Sequence, residues 1–145
     1  MRISDVLQAK AQGDSVVTVS PDTTVRDLIA LLAEHNIGAV IVSTDDEAVA
    51  GIVSERDVVR GLVDGPALLD QTVDSIMTAE VQTASPDDSV HQLMKQMTEH
   101  RIRHVPVVRG EELHGLVSIG DVVKSRIGEL EFERDQLTSY VSNTQ

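Results

Sequence analysis

The sequence predicts a mixed α/β (α+β) fold built from two copies of one βαββα unit, and three observations predict it. The chain repeats itself: VVTVSPDTTVRDLIALLAEHNIGAVIV (16–42) lies over VQTASPDDSVHQLMKQMTEHRIRHVPV (81–107). After a one-residue gap near Asp45, GIVSERDVV (51–59) lies over GLVSIGDVV (115–123). Each copy carries one helical apolar stripe, with apolar residues at i, i+3, i+4 and i+7. Each also carries short Val-rich runs bounded by turn residues, which is strand patterning. Phe132 and Tyr140 are the only aromatic residues, so Val, Ile, Leu, Ala and Met must build the core.

The elements follow in the same order in both copies. A short strand is expected at Val16 to Val19 and at Val81 to Thr83. Ser-Pro-Asp (20–22 and 85–87) is turn chemistry, in which proline presets φ before a helix. Thr24 and Ser89 are N-cap residues, with Asp27 and Gln92 in capping-box positions three residues on. Val25, Leu28, Ile29 and Leu32 form the first stripe, and Val90, Leu93, Met94 and Met97 the second. Asn36 is suited to end the first helix in the left-handed conformation. Strands at Ala39 to Ser43 and Val105 to Val108 come next, then at Val49 to Val53 and Leu113 to Val117, each pair followed by a helix. The openings ISDVL (3–7) and VDSIM (73–77) echo one another as well.

Composition narrows the function. A 145-residue chain with 41% hydrophobic residues can bury a core. Its net charge of −12 argues against a nucleic-acid surface, which needs a basic stripe. No apolar run reaches the length of a membrane span, and no signal-peptide pattern opens the chain, so a cytoplasmic protein is the expectation. Without cysteine there is no disulfide framework or thiolate metal site. No nucleophile elbow, P-loop or HExxH motif is present, so a binding module is expected rather than an enzyme. His100 and His104 are four apart, but Pro106 and the strand after it put them outside one continuous helix, and no metal site is expected.

The repeated Ser-x-x-Asp turn, Ser54 to Asp57 and Ser118 to Asp121, has two readings. It is a helix-capping signature, worth about 1 kcal/mol per helix. It also places a hydroxyl and a carboxylate beside a helix N-terminus, where free N–H groups favour an anion.

Four motifs recur in order: the ISDVL and VDSIM openings, V-x-T/A-S-P-D, E-H-x-I-x-x-V-x-V, and a closing Gly, two apolar residues and Ser-x-x-Asp. On these the chain resembles a tandem pair of CBS domains, a Bateman module, over Ile3 to about Ile127, in the layout of stand-alone bacterial CBS-pair proteins. The resemblance implies two units packed about a pseudo-twofold axis, with clefts between them that take AMP, ADP, ATP, S-adenosylmethionine or a nicotinamide dinucleotide. It implies that Asp57 and Asp121 accept hydrogen bonds from ribose hydroxyls, with Ser54 and Ser118 near ribose or phosphate. Arg103 and His104 match positions that carry phosphate-binding side chains in such proteins, where the first copy has Gly38 and Ala39. Arg56, inside the first Ser-x-x-Asp turn, is a further phosphate candidate. Thr18 and Thr83 match a strand edge that contacts adenosine, and Ile37, Ile102 and Pro106 are candidate walls for adenine.

The expected division is a first CBS domain at 1–63, a linker at 64–72, a second domain at 73–127 and a helical extension at 128–145. VVKSRIGELEFERDQLTSYV (122–141) reads as a helix longer than its first-copy counterpart, with Gly128 as a point where it can bend. Its stripe of Val123, Ile127, Leu130, Leu137 and Val141 wants a partner, which is either its own chain, by folding back, or a second copy, and a homodimer is the expectation preferred. The functional expectation is a sensor that takes an adenosine ligand and changes contacts with a downstream protein. The alternative is a dimerising scaffold without a small-molecule ligand.

Overall fold

The computed structural model of the protein describes residues 1–10 and 16–143. The order is α1 (Ile3–Lys10), β1 (Thr18–Val19), α2 (Val25–His35), β2 (Ala39–Val42), β3 (Gly51–Ser54) and α3 (Glu55–Gly61). Short 3-10 turns between Leu62 and Ser75 lead to α4 (Val90–His100), β4 (His104–Arg109), β5 (Glu112–Ser118) and α5 (Ile119–Asn143). Residues 144 and 145 of the expected C-terminal extension lie outside the described residues, as do 11–15 of the first unit.

The helices begin where the caps stand. Thr24 Oγ1 accepts from the Asp27 N–H at 3.1 Å. At α4 the box is complete: Ser89 Oγ accepts from the Gln92 N–H, and Gln92 Oε1 accepts from the Ser89 N–H, both at 3.0 Å. Asn36 closes α2 in the left-handed conformation at φ 52°, and Arg101 does the same for α4 at φ 54°. The stripes are narrower than expected: Val25, Leu28 and Leu32, and Val90, Leu93 and Met97, are buried, whereas Ile29 and Met94 are exposed.

The first copy forms a three-stranded sheet in the order β1-β2-β3, with β1 parallel to β2 and β2 antiparallel to β3. The second copy forms only the β4-β5 antiparallel pair. The strand expected at Val81 to Thr83 is absent, and a single parallel bridge, Ala84 to Val107, stands in its place. Pro106 explains the loss. It occupies the position of Ile41 and has no N–H to offer a neighbouring strand. α5 runs unbroken through Gly128, because one glycine costs about 1 kcal/mol and a 25-residue helix absorbs it.

Two apolar cores form, and each is closed by the opening segment of the other copy. Ile3 and Val6 of α1 pack with Ala84, Val90, Leu93, Met97, Val105, Val107, Val117 and Val122 of the second copy. Leu68 and Val73 pack with Val19, Val25, Leu28, Val40, Val53 and other residues of the first. Backbone bonds fix the exchange: the Ile3 N–H donates to the Asp88 carbonyl at 2.9 Å, and the Val73 N–H to the Thr23 carbonyl at 2.8 Å. ISDVL and VDSIM are thus matched halves of a clasp, and α1 reaches the mouth of the cleft between the copies.

Candidate functional site

β5 ends at Ser118 and α5 begins at once, so the Ser-x-x-Asp turn forms the helix cap. The Ser118 N–H donates to Asp121 Oδ2 at 2.8 Å, and the Asp121 N–H donates to Ser118 Oγ at 3.2 Å. In the first copy the Ser54 N–H and hydroxyl both donate to Asp57 Oδ2, at 2.8 and 3.1 Å. Capping therefore operates in both copies. It engages Oδ2 of each carboxylate and leaves Oδ1 out of the cap.

A cavity of about 630 Å³ opens where the second copy's turn faces the first copy. That size suits a small organic ligand. Its second-copy wall holds His104, Gly115, Leu116, Ser118 and Asp121, and its first-copy wall Val16, Val17 and the run from His35 to Ala39. Leu7 and Lys10 of α1 close one side. Gly38 lies beside His104: a Cβ built there would be in ordinary van der Waals contact with His104 Nε2, at 3.7 Å.

Of the candidate residues, the fold brings Ser118, Asp121, His104 and Ile37 into this one cavity. Asp57, Ser54, Arg56, Arg103, Thr18, Thr83, Ile102 and Pro106 are not among its lining residues. Arg103 and Arg56 are exposed. The Thr18 hydroxyl donates to the Asp46 carboxylate. Thr83 is exposed, its carbonyl accepting from Gln96 Nε2 at 3.1 Å. Ile102 packs against the second core, and Pro106 is buried in β4.

Lys10 is the residue that the repeat pattern passed over. Its ammonium donates to Asp121 Oδ2 at 2.7 Å and to the Leu116 carbonyl at 2.8 Å. The signal for it was a length difference. From Leu7 to Thr18 the first copy runs five residues longer than the second does from Met77 to Thr83, and Lys10 is the basic residue of that stretch. The matching edge of β3 is closed differently: Ile52 and Thr78 exchange backbone hydrogen bonds at 3.0 and 2.9 Å. His35, the histidine of the first E-H-x-I motif, and His114 also line the cavity, and neither was among the candidate site residues.

The electrostatics pull two ways. Burial pushes the His104 imidazole below its ordinary value; the Lys10 ammonium lowers it further, and the Asp121 and Glu55 carboxylates oppose this. Burial raises the Asp121 carboxyl, but the Lys10 ammonium and the Ser118 bonds outweigh it, and the net shift is downward. At neutral pH the cleft therefore presents an ammonium, a carboxylate and a neutral imidazole within one wall.

The comparisons with known proteins bear on this geometry. The family model of the CBS domain matches residues 4–64 and again 73–128. The chain is a tandem pair of CBS domains. It is 37% identical over 146 residues to the mitochondrial CBS domain-containing protein CBSX3 of Arabidopsis thaliana, covering 96% of this chain and 71% of that one. A CBS-domain containing protein from Agrobacterium tumefaciens superposes with a TM-score of 0.81 at 42% identity, over 87% of this chain and 99% of that one. A CBS domain protein from Pyrobaculum aerophilum, complexed with AMP, superposes with a TM-score of 0.73 at 29% identity, over 83% of this chain and 89% of that one. No helix among the described residues is long and apolar enough to cross a membrane.

Proposed function

We propose that this CBS pair is a regulatory module, not an enzyme, that binds an adenosine-containing nucleotide in the cleft headed by Asp121. One observation carries the reading: a helix-capping carboxylate, the N-terminus of α5 and a half-buried imidazole converge on one cavity between the copies. Asp121 would accept from the ribose diol, whose two hydroxyls suit a carboxylate. The Ser118 hydroxyl and His104 would face phosphate beside the N-terminus of α5, where the Ile119 and Asp121 N–H groups are already taken by the Arg103 carbonyl and Ser118 Oγ. Val17, Ile37 and Leu116 would wall the base. The AMP complex of the Pyrobaculum relative supports the ligand class.

Because the cavity is lined by both copies, a ligand there contacts both and biases their packing. Its effect is limited by its differential affinity for the two arrangements. A downstream protein would read that change. Exposed apolar residues recur at matching positions, Val59 of α3 and Val63 in the 3-10 turn after it, and Val123 and Ile127 of α5, and such a face suits self-association into a homodimer. It also favours the second reading, a dimerising scaffold. Sedimentation tests that part: Val123→Asp with Ile127→Asp shifts the protein to monomer mass, and an unchanged mass refutes the face.

The ligand test is thermal unfolding against AMP, ADP, ATP, NAD, NADH and S-adenosylmethionine. A ligand that binds only the folded state adds about 2.7 kcal/mol at a hundred times its dissociation constant. A rise in Tm with at least one compound is expected. No rise with any compound at millimolar concentration favours the scaffold.

A further inference from the structure

We propose that Lys10 sets the charge preference of the Asp121 cleft, making it select phosphorylated adenosine ligands over the uncharged nucleoside. The inference rests on the nucleotide reading above and deepens it. Without ligand, the Lys10 ammonium has two acceptors, Asp121 Oδ2 and the Leu116 carbonyl. Both belong to the wall where a ribose would dock, so Lys10 stands in the place the sugar needs. A ribose that takes the carboxylate weakens the ammonium's only charged partner within reach in the described cleft. A phosphate in the same cavity restores a counter-ion, and adenosine offers none. The difference falls on the nucleoside alone, which is what makes it selectivity rather than affinity.

Two features make Lys10 fit for this exchange. Its side chain is 42% exposed while that of Asp121 is 23% exposed, so the ammonium sits at the mouth and can swing on its flexible stem. It is also the last residue of α1, whose Ile3 and Val6 anchor the helix in the second core. The second copy has Glu80 at the matching position, three residues after Met77 as Lys10 follows Leu7.

The test compares AMP with adenosine by calorimetric titration on the full chain. Wild type is expected to prefer AMP, and Lys10→Met to lose roughly tenfold of that preference while binding adenosine as well as or better than wild type. Lys10→Arg is expected to keep the preference. The ratio is its own control, since general damage to the cleft weakens both ligands together. An unchanged AMP-to-adenosine ratio in Lys10→Met overturns the role of Lys10 and leaves the nucleotide reading standing. Wild type that takes neither compound overturns the inference, and silence across the wider nucleotide panel overturns the nucleotide reading too.

Discussion

Asp121→Asn separates the two tasks of the carboxylate. Asparagine keeps an oxygen that can accept from the Ser118 N–H, now at 2.8 Å, so most of the α5 cap survives. The Lys10 pair loses its charge. With side chains 42% and 23% exposed, that pair is worth about 1 kcal/mol or less. For a chain of this size such a loss lowers Tm by about 2–4 °C. The ligand should feel far more. Charge-assisted bonds contribute about 1.5–3 kcal/mol each, and roughly half of that goes when the acceptor becomes neutral. Over two ribose hydroxyls, affinity should fall roughly tenfold to a hundredfold. Calorimetric titration with AMP and thermal unfolding without ligand read the two effects on the same samples. AMP affinity within twofold of wild type would refute the ribose assignment and leave Asp121 as a cap. A Tm loss beyond about 10 °C would refute the energetic account of the cap.

Other variants test the remaining claims. Ile3→Ala removes a side chain that is 0% exposed in the second core and should cost about 2–5 kcal/mol by calorimetry, although Ile3 belongs to the opening segment of the first copy; a cost under 0.5 kcal/mol, on the order of a surface change, refutes the clasp. Gly51→Ala should destabilise more than Gly115→Ala. A Cβ at Gly51 meets the Thr78 backbone oxygen at 2.8 Å as well as Met77 Sδ at 2.6 Å, whereas at Gly115 it meets only the flexible end of Leu7, at 2.7 Å; equal losses refute the rigidity of the Thr78 pairing. The lowered pKa of His104 means the unfolded chain takes up its proton first, so this residue costs stability as pH falls below about 6.5, until the folded imidazole also protonates. His104→Gln should therefore gain on wild type between pH 7 and pH 5 in denaturant titrations, and parallel pH profiles contradict the burial of the imidazole.

How far the sequence could be read depended on whether a feature was local. Caps and stripes are local, and Thr24, Ser89, Val25, Leu28 and Leu93 act as their spacing predicts. Arg101 could not be read as a left-handed cap because arginine has no preference for that conformation, and only its alignment with Asn36 pointed there. The missing strand before Ala84 follows from Pro106, whose lost donor matters only once its neighbour is known. The exchange of opening segments was invisible for a similar reason. An apolar face on ISDVL declares that it will be buried, not in which of two similar cores. In the cleft, Asp121 and Ser118 stood in a repeated motif, and His104 stood out through the family resemblance at a position where the first copy has Ala39. Lys10 lies in the stretch where the first copy runs five residues longer than the second, and a repeat comparison discards that stretch. Arg103 and His104 are adjacent in sequence, yet only His104 lines the cavity.

One cleft, headed by Asp121, is the site proposed here for an adenosine nucleotide. Titrating AMP into the wild-type chain by calorimetry tests it most directly, because heat and stoichiometry come from the same curve. Saturable binding at one site per chain is expected, weakened roughly tenfold to a hundredfold in Asp121→Asn and kept in Asp57→Asn. No saturable heat, or a site that follows Asp57 instead of Asp121, contradicts it.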